Sequence, residues 1–342
     1  MKTLKVDIKK RCGDFNLDVK FETSTDRFAL LGSSGSGKSM TLKCIAGIEK
    51  PDEGYIALGD RVLFDSSKRI NVPSRERKVG YLFQDYALFP NMSAFNNINI
   101  VCNNVDRTRE LLKRFNIDGV ADHKPSQMSG GQCQRTALAR MLAADPEVIL
   151  LDEPFSALDN YMHTIIEREI FDVLSDYDGP SVLVSHDRNE VYRMCGTIGV
   201  LDNGTLVEVQ DKESFFAHPA SVVSARLTGC KNITSLTTDG FAIDWGIQLT
   251  PPEGASEFKF AGYRAHFFEL AGEEKKGMAN VFEVEVERVI EDTFSKVICF
   301  RQKGNNCTSS DSLLTFITSK DVIVEDIKFL KLDPSKLILL KR

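Results

Sequence analysis

The chain has 342 residues, 42% hydrophobic and 27% charged, a formal net charge of −6, and eight cysteines without a C-x-x-C pair. That length exceeds one ordinary core, so two domains are expected; the acid excess argues against a broad nucleic-acid face, and the cysteine spacing against zinc or redox chemistry. No apolar run approaches the roughly 20 residues that span a bilayer, and Met1 to Val6 alternates like a strand rather than a signal peptide, so membrane association is expected only through a partner.

Leu4 to Lys9 and Phe15 to Phe21 alternate polar and apolar residues around Cys12-Gly13-Asp14, which predicts an antiparallel hairpin. Phe15 lies a short way upstream of a glycine-rich loop and could stack on an adenine ring or pack as a hairpin aromatic. Arg27 to Leu31 reads as a short apolar strand, and Met40 to Ala46 as a helix. Between them Gly32-Ser33-Ser34-Gly35-Ser36-Gly37-Lys38-Ser39 matches the phosphate-loop pattern G-x-x-x-x-G-K-[ST] in full. Its glycines let successive N–H groups and the helix N-terminus face phosphate oxygens. Lys38 is expected at the β- and γ-phosphates of ATP, the Ser39 hydroxyl on Mg²⁺, and Met40 just behind the loop.

Tyr55 to Leu58 predicts more strand, and Lys78 to Gln84 a buried strand that sets the Gln84 amide at the carboxyl edge of a sheet. Residues 91–145 read as mostly helical, and within them Ser129-Gly130-Gly131-Gln132 precedes a helix as a second backbone anion nest, with Ser129 at the N-cap. Val148 to Leu151 predicts a fully buried strand from which Asp152 and Glu153 emerge, acids suited to metal and water chemistry beside a phosphate loop. Phe155-Ser156-Ala157-Leu158-Asp159 follows, then a helix over 161–174, then a buried strand, Ser181 to Val184, ending at Ser185-His186-Asp187.

The phosphate loop, Gln84, Ser-Gly-Gly-Gln, Asp152-Glu153, Ser-Ala-Leu-Asp and His186 stand in an order that resembles the ATP-binding cassette (ABC) family of transport ATPases over residues 1–230. The resemblance implies an α/β phosphate-loop domain with a helical subdomain at about 91–145. It implies that Ser39 and Gln84 hold Mg²⁺ directly and Asp152 through water, that Glu153 is the general base, and that His186 contacts the γ-phosphate. Ser129, Gly130, Gly131 and Gln132 then reach the ATP of a second copy, with Asp159 supporting the facing site, so a head-to-tail dimer is expected. Tyr86 to Pro90 is expected to help form the groove for an integral-membrane permease. Met128 stands where the family usually has leucine, and Cys133 where it tends to have a polar residue; neither removes a group that the chemistry needs. Repair-type relatives carry long coiled coils and ribosome-acting ones two cassettes, features not found in this sequence. A pure oxyanion sensor would not need a water-activating base.

From about 231 the pattern changes to strand after strand: Phe241 to Trp245, Phe258 to Phe260, Tyr263 to Phe268, Val281 to Val289, Lys296 to Phe300 and Leu337 to Leu340. Over 231–342 this predicts a small β-barrel of oligonucleotide-binding-like (OB-like) topology. Its placement resembles the accessory (TOBE- or MOP-type) domain of importer ATPases for oxyanions, sugars, iron and polyamines. Leu227 to Asn232 and Gly262 to His266 are most similar to the molybdate and sulfate members. That implies an importer subunit on the cytoplasmic face of the membrane, served indirectly by an external solute-binding protein. Arg264 and His266 could donate to a regulatory oxyanion or lie on a hairpin surface.

Overall fold

The structure, a computed structural model, describes residues 2–24, 27–156, 160–250, 257–305 and 312–341. It forms two compact units, Met1–Lys212 and Glu213–Arg342, so the division falls ahead of the expected one at 230. The reason is a small apolar cluster in which Val222 and Ala225 pack with Cys230, Ile233, Ile338 and Leu340, binding that stretch to the second unit.

In the first unit β1 (Leu4–Cys12) and β2 (Phe15–Thr23) form the expected hairpin, paired from Leu4↔Thr23 to Cys12↔Phe15 around Gly13 at φ 60°. Then come β3 (Phe28–Leu31), α1 (Lys38–Ala46), β4 (Glu53–Leu58), β5 (Arg61–Asp65), β6 (Ile70–Asn71) and β7 (Val79–Leu82). Three helices follow, α2 (Ala94–Cys102), α3 (Val105–Arg114) and α4 (Gly130–Ala143), which make the expected helical subdomain. The unit ends with β8 (Val148–Asp152), α5 (Asn160–Ser175), β9 (Ser181–Ser185), α6 (Arg188–Met194), β10 (Thr197–Asp202) and β11 (Thr205–Asp211). Caps account for the helix starts: Ser93 accepts from the Asn96 amide and Asn104 from that of Arg107.

All these strands join one 11-stranded sheet in the order β6-β5-β4-β1-β2-β11-β10-β3-β9-β8-β7. From β10 to β7 every neighbour is parallel, and β3, β8 and β9 are buried at every residue. Continuous apolar runs such as Val148-Ile149-Leu150-Leu151 suit strands covered on both faces. The parallel register brings the carboxyl ends of β3, β8 and β9 to one edge, where open α/β sheets bind ligands. β7 stops at Leu82, so Gln84 stands two residues past the strand rather than closing it.

Arg77 is fully buried behind α1. Its Nη1 donates to the Cys44 and Ile45 carbonyls at 2.9 and 2.8 Å, Nε to the Val72 carbonyl at 2.8 Å, and Nη2 to Asn71 Oδ1 at 2.9 Å. A cation there satisfies the Ile45 carbonyl that the helix end leaves open and joins the Gly47 amide on the Cys44 carbonyl. Gly47 is required beside it, because its φ is 74° and a Cβ would sit 2.5 Å from Arg77 Nε. Arg77→Ala is expected to destabilise the first unit by about 2–4 kcal/mol, through orphaned buried acceptors plus a void. Urea unfolding followed by far-UV circular dichroism reads this, since the single tryptophan, Trp245, lies in the second unit. A midpoint equal to wild type would contradict the account.

The division falls within α7 (Lys212–Ala217), which is followed by α8 (Val222–Leu227). Its strands are β12 (Asn232–Ser235), β13 (Phe241–Ala242), β14 (Ile247–Gln248), β15 (Phe260–Tyr263), β16 (Glu269–Ala271), β17 (Val281–Glu291), β18 (Ser295–Gln302), β19 (Leu314–Ser319), β20 (Phe329–Lys331) and β21 (Ile338–Leu340). Hydrogen bonding groups them as β12-β15-β21, β13-β14 and β16-β20-β17-β18-β19 around a core that includes Trp245, Tyr263, Phe268, Phe282 and Phe300. The β-rich character matches expectation, but of the stretch expected over 241–245 only Phe241 and Ala242 are strand, and of Tyr263 to Phe268 only Tyr263, which closes a strand begun at Phe260. The chain leaves β15 after Tyr263, where the Phe267 amide bonds the Arg264 carbonyl. It leaves β13 after Ala242, whose carbonyl accepts from Gly246 at φ 70°. No helix among the described residues is long and apolar enough to cross a membrane.

Candidate functional site

The loop between β3 and α1 curls through Gly35 at φ 79° and Gly37 at φ 105°. A Cβ on Gly37 would meet Leu17 Cδ1 at 2.7 Å and Phe15 Cζ at 2.9 Å, so glycine is required by both backbone and space. Phe15 is therefore a half-buried ring packed under the loop. Lys38 is 5% exposed, and its Nζ donates to the carbonyls of Gly32 at 2.9 Å and Ser33 at 2.8 Å. Burial holds the ammonium below the usual lysine range, against the raising effect of the Glu153 and Asp152 charges. Ser36 Oγ is buried with no hydrogen-bond partner among the described residues, a group that a phosphate oxygen would complete.

Ser39 Oγ donates to Asp152 Oδ1 at 2.8 Å, and the Tyr81 phenol to Asp152 Oδ2 at 2.7 Å. Hydroxyl and carboxylate oxygens beside a phosphate cradle are the hard donors that Mg²⁺ takes, so the residues present fit that ion. Tyr81 gives no sign of itself in sequence, because its role depends on β7 lying next to β8. There Tyr81 pairs with Leu150, and two residues further along the same face stands Asp152. Burial first, and then the Asp152 charge, push the phenol well above the usual tyrosine range, so it stays a donor.

Glu153 turns out of β8 at φ 44°, a left-handed conformation uncommon for a side-chain residue. Its amide donates to the Val184 carbonyl at 3.0 Å, and its carbonyl accepts from the Ser156 amide at 3.2 Å. The carboxylate is held between Gln84, with Nε2 at 3.5 Å, and His186, with Nδ1 at 3.6 Å. Glu153 and His186 line a cavity of about 460 Å³ with Phe155, Ser156 and Ser185. His186 is itself two-thirds exposed, and its turn is anchored from below. Ser185 Oγ donates to Glu190 Oε2 at 2.5 Å and accepts from the Asp187 amide, while Glu190 Oε1 lies 2.7 Å from His163 Nε2. Asp159 falls outside the described residues.

Ser129 caps α4 as expected. Its hydroxyl accepts from the Gln132 amide at 3.3 Å, and its own amide donates to Gln132 Oε1 at 2.8 Å, a capping box that commits the Gln132 side chain within its own helix. Ser129 and Gly130 are exposed, whereas Gly131 is covered by Met162, whose Cε would lie 2.3 Å from a Cβ at that glycine. No residue of this segment is recorded in a hydrogen bond with the phosphate loop. Further along α4, the buried Gln134 donates to the Pro154 carbonyl at 2.6 Å and accepts from the Tyr86 phenol at 3.4 Å. Arg140 Nη2 donates to the Tyr86 carbonyl at 2.9 Å, and Asn97 brackets Phe89 through both its amide and its carbonyl. The Gln84–Phe89 segment is thus tied to the helical subdomain and to the turn bearing Glu153. Beside it opens an apolar groove of about 390 Å³ lined by Ile48, Val79, Tyr81, Phe83, Phe89 and Val101.

In the second unit, Arg264 donates to the Thr228 and Phe216 carbonyls. His266 is exposed, with its ring against Phe267.

A glycine-rich phosphate cradle between a buried parallel strand and a helix, with an acid pair at the end of a nearby strand, defines a phosphate-loop nucleotide site. The family model described as "ABC transporter" matches residues 15–156. The molybdate/tungstate import ATP-binding protein WtpC of Archaeoglobus fulgidus is 38% identical over 220 residues, covering 63% of this chain and 89% of that protein. The chain belongs to the ABC transporter family. It is also 35% identical over 222 residues to the molybdenum import ATP-binding protein ModC of Paramagnetospirillum magneticum, covering 63% and 61% of the two chains. The match spans about three-fifths of the length of the first curated relatives, 61% to 64%. Other relatives of comparable identity are named for import of glucose, ferric iron and sulfate or thiosulfate. Among solved structures, a dimeric ATP-binding cassette in a post-hydrolysis state with ADP and Pi bound is 28% identical with a TM-score of 0.53, covering 62% of this chain and 99% of that one.

Proposed function

We propose that this chain is the ATP-hydrolysing subunit of an importer that takes up an oxyanion, molybdate first, with sulfate or tungstate as chemically related cargo. The observation that carries the ATPase reading is the placement of Glu153 between Gln84 and His186, one residue beyond the Ser39–Asp152 bond. Lys38, the loop amides and Ser36 would hold the phosphates, with Met40 in the first turn of α1 behind them and Phe15 packed under the loop. Ser39, Gln84 and, through water, Asp152 would hold Mg²⁺, which when bound neutralises charge on the terminal phosphates. Glu153 takes the proton of the attacking water, and His186 orients that water and contacts the γ-phosphate.

Ser129, Gly130, Gly131 and Gln132, with Asp159, would act on the ATP held by a second copy, so the working unit is a head-to-tail dimer. The solved dimeric cassette supports that assembly. The apolar groove beside Gln84 would receive an integral-membrane permease and hold the chain at the cytoplasmic face of the membrane, with the external solute-binding protein reached only through the permease. The β-rich second unit is read as the OB-like accessory domain, a place for joining the two copies or for a regulatory oxyanion. The molybdate assignment is supported by the import names of two relatives. Reconstitution with the permease and binding protein tests it: molybdate is expected to stimulate ATP hydrolysis severalfold. Stimulation by glucose or ferric iron with no response to molybdate would refute the cargo while leaving the ATPase intact.

A further inference from the structure

We propose that Tyr81 is a positioning residue for the nucleotide-bound divalent cation, acting through the Asp152 carboxylate. The inference deepens the ATPase reading above and rests on it. Asp152 is 5% exposed, and among the described residues Ser39 and Tyr81 are the recorded side-chain donors to its two oxygens. One bond alone leaves a carboxylate free to turn about its last torsion; two bonds from opposite sides do not. Ser39 takes Oδ1 from the α1 side at 2.8 Å, and Tyr81 takes Oδ2 from the β7 side at 2.7 Å. The carboxylate plane is thereby set before any ion arrives, with Oδ1 on the side of the hydroxyl that shares the metal's neighbourhood.

The phenol is itself held in place. Its ring packs on Phe83 with centroids 4.2 Å apart, and the pairing of β7 with β8 fixes its height opposite Leu150. A hydrogen bond to an ionised acceptor that is shielded from water is stronger than a neutral one. Without the phenol, Asp152 Oδ2 would be left buried and short of a donor, and the side chain would turn to find one. Groups that orient metal-binding carboxylates in this way shape affinity for the ion although they never touch it.

Tyr81→Phe keeps the ring and removes one oxygen, so it isolates the bond. In the full-length chain, Mn²⁺ serves as the probe ion with a non-hydrolysable ATP analogue, read by electron paramagnetic resonance. Nucleotide affinity is measured separately in EDTA by fluorescence. Tyr81→Phe is expected to weaken Mn²⁺ binding to the nucleotide complex by about tenfold, while metal-free nucleotide affinity stays within about twofold of wild type. Unchanged Mn²⁺ affinity would overturn the proposal. So would an equal loss of metal-free nucleotide binding, because the phenol would then be supporting the whole loop rather than the carboxylate. A wild-type chain that binds no nucleotide in EDTA or with Mn²⁺ would instead remove the ATPase reading, and the role of Tyr81 with it.

Discussion

Glu153→Gln is expected to lower ATP turnover by about 10²–10⁴-fold while nucleotide binding survives. The substitution is nearly isosteric, so it leaves the packing of the turn alone and removes only the negative charge and the basic lone pair. Backbone geometry will not change either, since the φ of 44° is imposed by the bond from the Glu153 amide to the Val184 carbonyl and by the Ser156 bonds to its own carbonyl. Gln84 and His186, at 3.5 and 3.6 Å, would still find a polar partner in the amide. What is lost is a group able to accept a proton from water. The variant should therefore load ATP, fail to release phosphate, and accumulate as an ATP-dependent dimer on size-exclusion chromatography. Phosphate release at the wild-type rate would move the base elsewhere. His186→Ala then becomes the informative comparison, because its ring is the next titratable group along the same cavity.

What is legible in the sequence is whatever the chain writes in consecutive residues. The phosphate loop is such a case: its glycines, lysine and serine are contiguous, and their conformational demands are local. Asp152, Glu153 and His186 were legible for a related reason, since each follows a short run of apolar residues whose burial fixes where the strand ends. Tyr81 and Arg77 were not. Tyr81 looks like one more aromatic in a buried strand until β7 is known to lie against β8 in a register that puts it on the face of Asp152. Arg77 belongs to the charged run Ser74-Arg75-Glu76-Arg77 and gives no hint that it alone turns inward onto α1. Gln134 likewise reads as the second of two glutamines after the glycines, yet it joins α4 to Pro154 and Tyr86. The second unit was legible as strands but not as sheets. Elements of two or three residues, such as β14, β16 and β20, carry too little alternation to be found, and their pairing is non-local.

Lys38→Met should reduce ATP affinity by about 100-fold, which corresponds to about 2.7 kcal/mol. Methionine keeps an unbranched stem of similar length, so the loop stays filled and the measurement reports the charge. The folded chain desolvates the ammonium and offers it the Gly32 and Ser33 carbonyls, with Glu153 and Asp152 supplying the nearby negative charge. Part of the cost of burying a cation has thus been met by the folded chain, and a polyphosphate gains a preplaced counter-charge rather than one drawn from solvent. Lys38→Arg should not restore binding. The lysine places a compact point charge at 5% exposure, whereas a bulkier planar guanidinium presents its forked donors in a different geometry to the two successive carbonyls. Both variants should keep the wild-type circular dichroism, because the loop's turns depend on Gly35 and Gly37 rather than on the lysine head. Fluorescence titration with a labelled ATP reads the outcome. An affinity for Lys38→Met within about threefold of wild type, or about 0.65 kcal/mol, would mean that the backbone amides and helix end bind the phosphates without help from the buried charge.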